Sequence, residues 1–319
     1  MELRHLRYFV TLAEELHFAR AAERLNIAPP TLTVQIQEIE RSLSARLFVR
    51  TKRSVALTSA GTIFLAEAQK VLAQYQHAES IGRRAGRGEV GRVELGYVAS
   101  AAYAGVLQEQ VTKFTSTWEE VDLVARELAM DALPQNVAEG SVDIGFVRLP
   151  LTIPSELRIH VLLRDVFCLA VPSNIQSPVT GIELAQASFI APEQEAGTFE
   201  LARRGSFTPN IVSTPGSLLA VLAQVSIGAG IAVVPSAVRN VVHLPGVSFQ
   251  AIGGEPIVSE VAAVFRSNET SPAVLNMISQ IQATSAKILA PHEFNLGVEG
   301  MQCSARHARD ATYSSGWGS

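Results

Sequence analysis

At 319 residues the chain has room for two domains, and 47% hydrophobic with 18% charged residues excludes a disordered or fibrous protein. Its two cysteines, Cys168 and Cys303, exclude a disulfide framework and a cysteine-rich metal site, and suit a reducing cytoplasm. The net charge of −4 is uneven, with 13 Lys and Arg against 9 Asp and Glu in residues 1–90 and 13 against 21 beyond. A basic head on an acidic body suits a polyanion at one end only, though chance alone produces the same asymmetry.

The start, MELRHLRYFV, is charged and amphipathic without a cleavage site, so no signal peptide is expected. Leu3, Leu6, Phe9, Val10 and Ala13 predict the inner stripe of a first helix. A second begins near Ala19 with Ala21, Ala22 and Leu25 facing inward, and Asn26, Ile27 and Ala28 form a three-residue turn. Pro29 and Pro30 then open a third helix, since proline is comfortable only in the first turn. Leu32, Ile36 and Ile39 repeat inward, leaving Thr31, Thr33, Val34, Gln35 and Gln37 on other faces. Two helices joined by such a turn predict a helix-turn-helix whose second helix has the width of the DNA major groove. RLFVRTKRSVALT follows, with Leu47, Val49, Val55 and Leu57 in strand-like runs and Arg50, Thr51, Lys52 and Arg53 at the turn. A basic-tipped hairpin in that position is a wing for phosphates or the minor groove.

Residues 13–61, with AA..L, A.P.L..QI..IE, RLF.R and LT.AG at matching spacing, resemble the N-terminal signature of the LysR-type transcriptional regulators. The chain departs from the family's usual residues at Pro29 (commonly Gln), Thr33 (Ser), Val34 (Arg or Lys) and Ser44 (Gly). Those departures bear on the target sequence, not the binding mode. The resemblance implies that Pro30, Thr31, Thr33, Val34 and Gln35 belong to the DNA-facing helix, with Thr31, Thr33 and Gln35 reading bases, and that Arg50, Lys52 and Arg53 contact the backbone.

Thr58 is placed to cap a helix running to about Arg84. Phe64, Ala68, Val71, Tyr75 and Ala78 form a heptad-like seam on it. The seam either packs on its own domain or pairs with a second copy; the resemblance implies the latter. GRRAGRGEVGR, residues 82–92, reads as an interdomain hinge.

Beyond it VELGYVAS, VDLVARELAM and VDIGFVRLP predict strands alternating with helices, hence an open, mostly parallel α/β sheet. RDVFCLAVP opens a second run of elements, and VSEVAAVF returns to the first. The uncharged run 205–238 is broken by Pro209, Pro215, Gly216, Gly228, Gly230 and Pro235, which argues against a membrane span. GYVAS, EGSVDIGFVR and IGAGIAVVPSA resemble the family's effector domain, itself similar to periplasmic solute-binding proteins. The expected fold is therefore α/β with an N-terminal winged helix-turn-helix (1–58), a linker and dimerisation helix with hinge (59–90), and a two-lobed periplasmic-binding-protein-like effector domain (91–290). Lobe I would comprise 91–162 and 264–290, lobe II 163–263, and 291–319 a disordered tail.

Ligands of such sheets sit beyond the carboxyl ends of strands, which nominates Ser100 and Arg148. Ser100 is either a helix cap or an anion donor; Arg148 is either a fork for a carboxylate or a surface ion pair. Among LysR-type regulators of aromatic catabolism the matching positions, with an aromatic near Phe199, contribute to effector binding. Ala129 and Met130 stand where many relatives carry Ser-Thr, removing one polar anchor. The chain holds no H-E-x-x-H pair, G-x-S-x-G elbow or Walker loop, so neither an enzyme nor a metal or cofactor site is expected. The function expected is a cytoplasmic, nucleoid-associated transcriptional regulator, a homodimer or homotetramer on double-stranded DNA, working with RNA polymerase and modulated by a small organic effector such as an aromatic or other carboxylate. The alternative is a ligand-independent regulator that uses its α/β domain only to oligomerise.

Overall fold

The structure, a computed structural model, describes residues 1–51 and 54–288. Lys52, Arg53, Cys303 and the segment 291–319 lie outside the described residues. Two compact units divide between Arg87 and Gly88.

The first unit begins with α1 (Leu3–Glu15), α2 (Phe18–Arg24) and α3 (Pro29–Ser42). A short hairpin follows, β1 (Phe48–Arg50) paired antiparallel with β2 (Val55–Leu57), and then the long α4 (Ser59–Gly86). Its core is Leu6, Phe9, Leu12, Leu32, Ile36 and Ile39, closed by Leu47 and Phe48. Leu12, absent from the expected stripe, is fully buried here, and Val10, which was expected in it, is half-buried. The turn between α2 and α3 ends α2 in a Schellman motif: Ile27 N–H donates to the Ala22 carbonyl and Asn26 N–H to Glu23, each at 3.0 Å, with Asn26 at φ 51°. Asparagine tolerates that left-handed conformation better than most residues. The prolines occupy the first two positions of α3, where no N–H is missed.

Thr58 caps α4 by accepting from Gly61 N–H at 2.9 Å. Gly61 lies so close to the chain that a Cβ there would stand 2.1 Å from the Leu47 carbonyl oxygen. That contact seats α4 against the helix-turn-helix and divides the expected dimer seam. Phe64 packs 4.8 Å from Phe9, ring centre to ring centre, and Ala68 is buried. Both belong to this unit's own core, which has enough apolar surface to claim the first three turns of α4. Val71 and Ala78 are exposed, and Tyr75 is half-buried with Arg7 over its ring. The helix also runs through residues 82–86, so the expected hinge shrinks to the stretch around Arg87 to Val90.

The second unit opens with β3 (Gly91–Tyr97), α5 (Ala99–Tyr103), α6 (Val106–Thr117), β4 (Val121–Glu127), α7 (Leu133–Glu139) and β5 (Ile144–Leu149). A 16-residue strand, β6 (Leu157–Pro172), then leads to α8 (Gly181–Gln186), β7 (Ser188–Ile190), α9 (Ala196–Gly205), β8 (Asn210–Ser213), α10 (Leu218–Ser226) and β9 (Ala232–Pro235). β10 (Val247–Ala251), the returning β11 (Val258–Arg266), α11 (Pro272–Gln282) and β12 (Lys287–Ile288) complete it. The main sheet runs β10-β6-β11-β5-β3-β4, with β9 and β12 also on β6. It is mixed rather than mostly parallel: β3 lies parallel to β4 and β5, but β11 runs antiparallel to both β5 and β6.

β6 and β11 are the two strands that link the lobes, and the lobe limits expected at 162/163 and 263/264 fall inside them. Lobe I packs β3, β5, α6, α7 and α11 around Phe114, Phe146 and Met277. In lobe II, alternate residues of β6 face opposite ways: Cys168 and Ala170 toward α10, Phe167, Leu169 and Val171 toward the side of α9. A strand covered on both faces reads as an unbroken apolar run, as VFCLAV does. Burial pushes the Cys168 thiol up to about 12, so it serves as a small apolar side chain. No helix among the described residues is long and apolar enough to cross a membrane.

Candidate nucleic-acid interface and effector cleft

The exposed side of α3 lies opposite Leu32, Ile36 and Ile39. Pro30, Thr31 and Val34 are exposed on it, and so are Gln37 and Arg41 further along. At about 100° per residue, Pro30, Val34, Gln37 and Arg41 form the centre of this face, and Gln35 sits on its shoulder. Thr33 donates its hydroxyl back to the Pro29 carbonyl at 3.0 Å. The amide of Gln35, half-buried, reaches Glu38 at 3.4 Å. Two of the three expected base readers are thus engaged locally, and Gln37 and Arg41 are exposed where a groove would meet the helix. The buried triad already dictated that axis, so helical periodicity was the signal for both.

Glu40 joins α3 to the hairpin. Its Oε1 accepts from the backbone N–H of Leu47 at 2.8 Å and of Phe48 at 3.1 Å, while Oε2 takes Arg50 at 3.3 Å. Arg50 also lies over the Phe18 ring, 4.8 Å from its centre. Arg50 is thus paired and stacked within its own unit, with its side chain still 30% exposed.

In the second unit Arg148, one of the two residues nominated to hold an anion, is consumed by the protein. Arg148, at the end of β5, has no solvent exposure. Its Nη1 donates to Ser259 Oγ at 2.8 Å and approaches Asp165 Oδ2 at 3.4 Å, and Nη2 donates to the Ser100 carbonyl at 2.8 Å. Asp165 in turn accepts from Ser236 Oγ, from Val166 N–H at 2.7 Å and from Ala237 N–H at 3.2 Å. Burial draws the guanidinium down to about 10, and Asp165 beside it opposes that fall. Arg148 is neither a carboxylate fork nor a surface ion pair, because its partners on β6, β11 and α5 enclose it. Ser100 gives Arg148 its carbonyl, and α5 is capped at Val98, so the serine is not the helix cap.

The cleft opens elsewhere, beyond the carboxyl ends of β4, β5 and β7. One cavity of about 330 Å³ is lined from lobe I by Met130, Asp131, Pro150 and Leu151, and from lobe II by Glu193, Gln194, Glu195 and Ala196. A second, of about 470 Å³, shares Pro150 and Ala196 and continues over Phe167, Phe199, Ile257 and Val258. Its rim carries Glu200 with Arg203 and Arg204, whose Nε atoms both lie 2.8 Å from that carboxylate. Hydrogen bonds from Arg203 and then Arg204 hold Glu200 down at about 2. Met130 and Phe199 thus stand in the walls of adjoining cavities, and Ala129 is exposed and lines neither. Glu193 and Gln194 were not nominated; their neighbours in the cleft are distant in sequence.

A family model described as the bacterial regulatory helix-turn-helix protein of the lysR family matches residues 3–62, and one described as the LysR substrate binding domain matches residues 86–286. The chain belongs to the LysR family. It is 35% identical over 287 residues to YnfL, an uncharacterized HTH-type transcriptional regulator of Escherichia coli, covering 86% of this chain and 96% of that one. AlsR, an HTH-type transcriptional regulator of Bacillus subtilis, is 32% identical over 301 residues, covering 90% and 98%. The solved structure of full-length CbnR with its target DNA superposes with a TM-score of 0.76 at 24% identity, over 89% of this chain and 99% of that one. This is a LysR-type DNA-binding transcriptional regulator, built as a helix-turn-helix unit and a substrate-binding unit of two lobes.

Proposed function

We propose that this LysR regulator acts in the cytoplasm as a homodimer or homotetramer whose hold on two-fold symmetric DNA changes when a small organic ligand seats between the lobes. The observation that carries the reading is the pairing, in one chain, of an exposed polar recognition helix with a cleft that draws its walls from both lobes. A ligand touching both lobes binds the closed arrangement better than the open one, and that differential affinity is what shifts a population. Use of the α/β unit for assembly alone would leave such a cavity without a role.

CbnR was solved on its target DNA, and the same fold here supports duplex DNA as the partner. Exposed Ile63 and Val71 on α4, with Ala78, support pairing with a second copy through that helix. Phe167 and Phe199 favour a ligand with an aromatic or other apolar body, as in regulators of aromatic catabolism. Contact with RNA polymerase would follow from the regulatory role.

Selection from a random duplex pool by the full-length protein tests the reading. It should enrich paired half-sites related by two-fold symmetry and spaced by whole helical turns. Recovery of no sequence preference would overturn it.

A further inference from the structure

We infer that the cleft accepts a hydrogen-bond-donating cation, an organic ammonium carried on an apolar body, rather than an organic acid. The inference rests on the reading of this cleft as the effector site. Three carboxylates, Asp131, Glu193 and Glu195, line the smaller cavity, and among the described residues no lysine, arginine or histidine does.

Two donors of the cavity are already used. Met130 N–H is taken by the Glu193 carboxylate, which reaches across from the other lobe. Gln194 Nε2 donates to the Leu149 carbonyl at 3.0 Å. That bond also fixes which way the amide faces, since a carbonyl accepts only from the nitrogen. Gln194 Oε1 is therefore an acceptor; it is buried, on a residue only 7% exposed, and has no partner among the described residues. A buried acceptor left unpaired costs about 1–3 kcal/mol, so it marks a place where a donor belongs.

An ammonium supplies what this wall lacks: up to three N–H donors and a positive charge. A carboxylate would meet three like charges in the smaller cavity, and its exclusion is as much a part of selectivity as the ammonium's attraction. The three carboxylates do not converge as a metal site, as no such cluster occurs among the described residues. The adjoining cavity sets the rest of the molecule. Its floor is Phe167, Ile257 and Val258 with Phe199 beside them, so an aryl or alkyl chain would lie there. Arg203 and Arg204 line this cavity paired with Glu200, so the unpaired carboxylates of the smaller cavity are what draws a cationic head.

The test is thermal unfolding of the full-length protein with 2-phenylethylammonium and hexylammonium chlorides, against 2-phenylethanol, 3-phenylpropionate and magnesium chloride. The ammonium ions should raise the melting temperature saturably and the other three should not. The double variant Asp131→Asn/Glu195→Gln should weaken ammonium binding by about tenfold or more, the loss expected for hydrogen bonds to charged groups. Neither carboxylate hydrogen-bonds or ion-pairs with another of the described residues, so the unliganded melting of the variant should match the wild type. If the acid or the alcohol stabilises the protein and the ammonium ions do not, the ligand class is overturned while the effector cleft stands. If none of the five shifts the melt, the inference is overturned, and the DNA selection decides separately whether the regulator reading survives. An ammonium shift undiminished in the double variant would move binding out of this cleft and equally overturn it.

Discussion

Arg148 and Asp165 face each other at 3.4 Å with both side chains entirely shielded from water, at the point where β5, β6 and β11 meet. Taking two charges out of water is costly, and the pair holds because Asp165 also accepts from Ser236, Val166 and Ala237. Losing one partner leaves the other charge buried and alone. Arg148→Met should therefore destabilise the protein by about 3–5 kcal/mol, seen as a lowered urea midpoint without any ligand present. A midpoint within error of the wild type would return Arg148 to the role of a ligand-binding residue.

Ser44 completes a Schellman motif at the end of α3. Its N–H donates to the Arg41 carbonyl at 3.1 Å, Ala45 N–H donates to Glu40 at 3.0 Å, and Ser44 itself sits at φ 51°. A serine pays for its Cβ in that left-handed conformation, and glycine does not. Ser44→Gly should stabilise the first unit by about 0.5–1 kcal/mol, the steric gain less glycine's extra unfolded entropy. Calorimetry of the two proteins measures it, and a lower melting temperature in the variant would contradict the motif's account.

Helices α1 to α4, the Thr58 cap and the proline-led start of α3 were legible because each signal is local. Two prolines, an αL asparagine and the spacing of Leu32, Ile36 and Ile39 all act within a few residues of one another. The turn of the α3 face toward solvent was legible too, but resemblance drew attention to Thr33 and Gln35 when periodicity pointed to Gln37 and Arg41. What stayed hidden depends on contacts between distant segments. An arginine at a strand end reads the same whether it meets solvent or Asp165 and Ser259, 17 and 111 residues away. Met130 meets Glu193 across 63 residues, which no pattern within either segment announces. The seam on α4 divided for the same reason: the heptad spacing is real, but which turns face Phe9 is decided by how the hairpin seats Gly61.

Arg266 closes a partly buried cluster on lobe I, with Nη2 2.9 Å from Asp143 and also on Glu269, and Nη1 on two carbonyls. Burial pushes the Glu269 carboxyl up, but the backbone N–H groups of Ser271 and Thr270 and the guanidinium together hold it below the usual value of 4.5. A carboxyl with a depressed folded pKa contributes stability above its unfolded pKa, which is lost as pH falls through the folded one. Urea midpoints should therefore drop as pH falls below about 4.5. Glu269→Gln should be less stable than wild type at neutral pH, with the difference shrinking on the acid side. A constant difference across that range would assign the loss to packing instead of charge.

Gln37 and Arg41 separate two contributions to DNA binding. Arg41 is exposed in the last turn of α3, where a long cation reaches phosphates, and phosphate contacts act on every sequence alike. Arg41→Ala should weaken binding to specific and random duplexes together, and reduce the slope of log affinity against log salt by about 1. Gln37 lies nearer the middle of the exposed face, and its amide offers a donor and an acceptor side by side, the pattern that adenine presents in the major groove. Gln37→Ala should cost about 1–3 kcal/mol on the selected site, relax preference at one base pair, and leave the salt slope unchanged. Thr33→Val is the control, since its hydroxyl is spent on the Pro29 carbonyl and its loss should leave preference intact. Fluorescence anisotropy across a salt series with single-base variants of the selected site reads all three. If Thr33→Val relaxes the preference and Gln37→Ala does not, the helix meets DNA through the flank that the family signature suggested, and the face centred on Val34 is not the one in the groove.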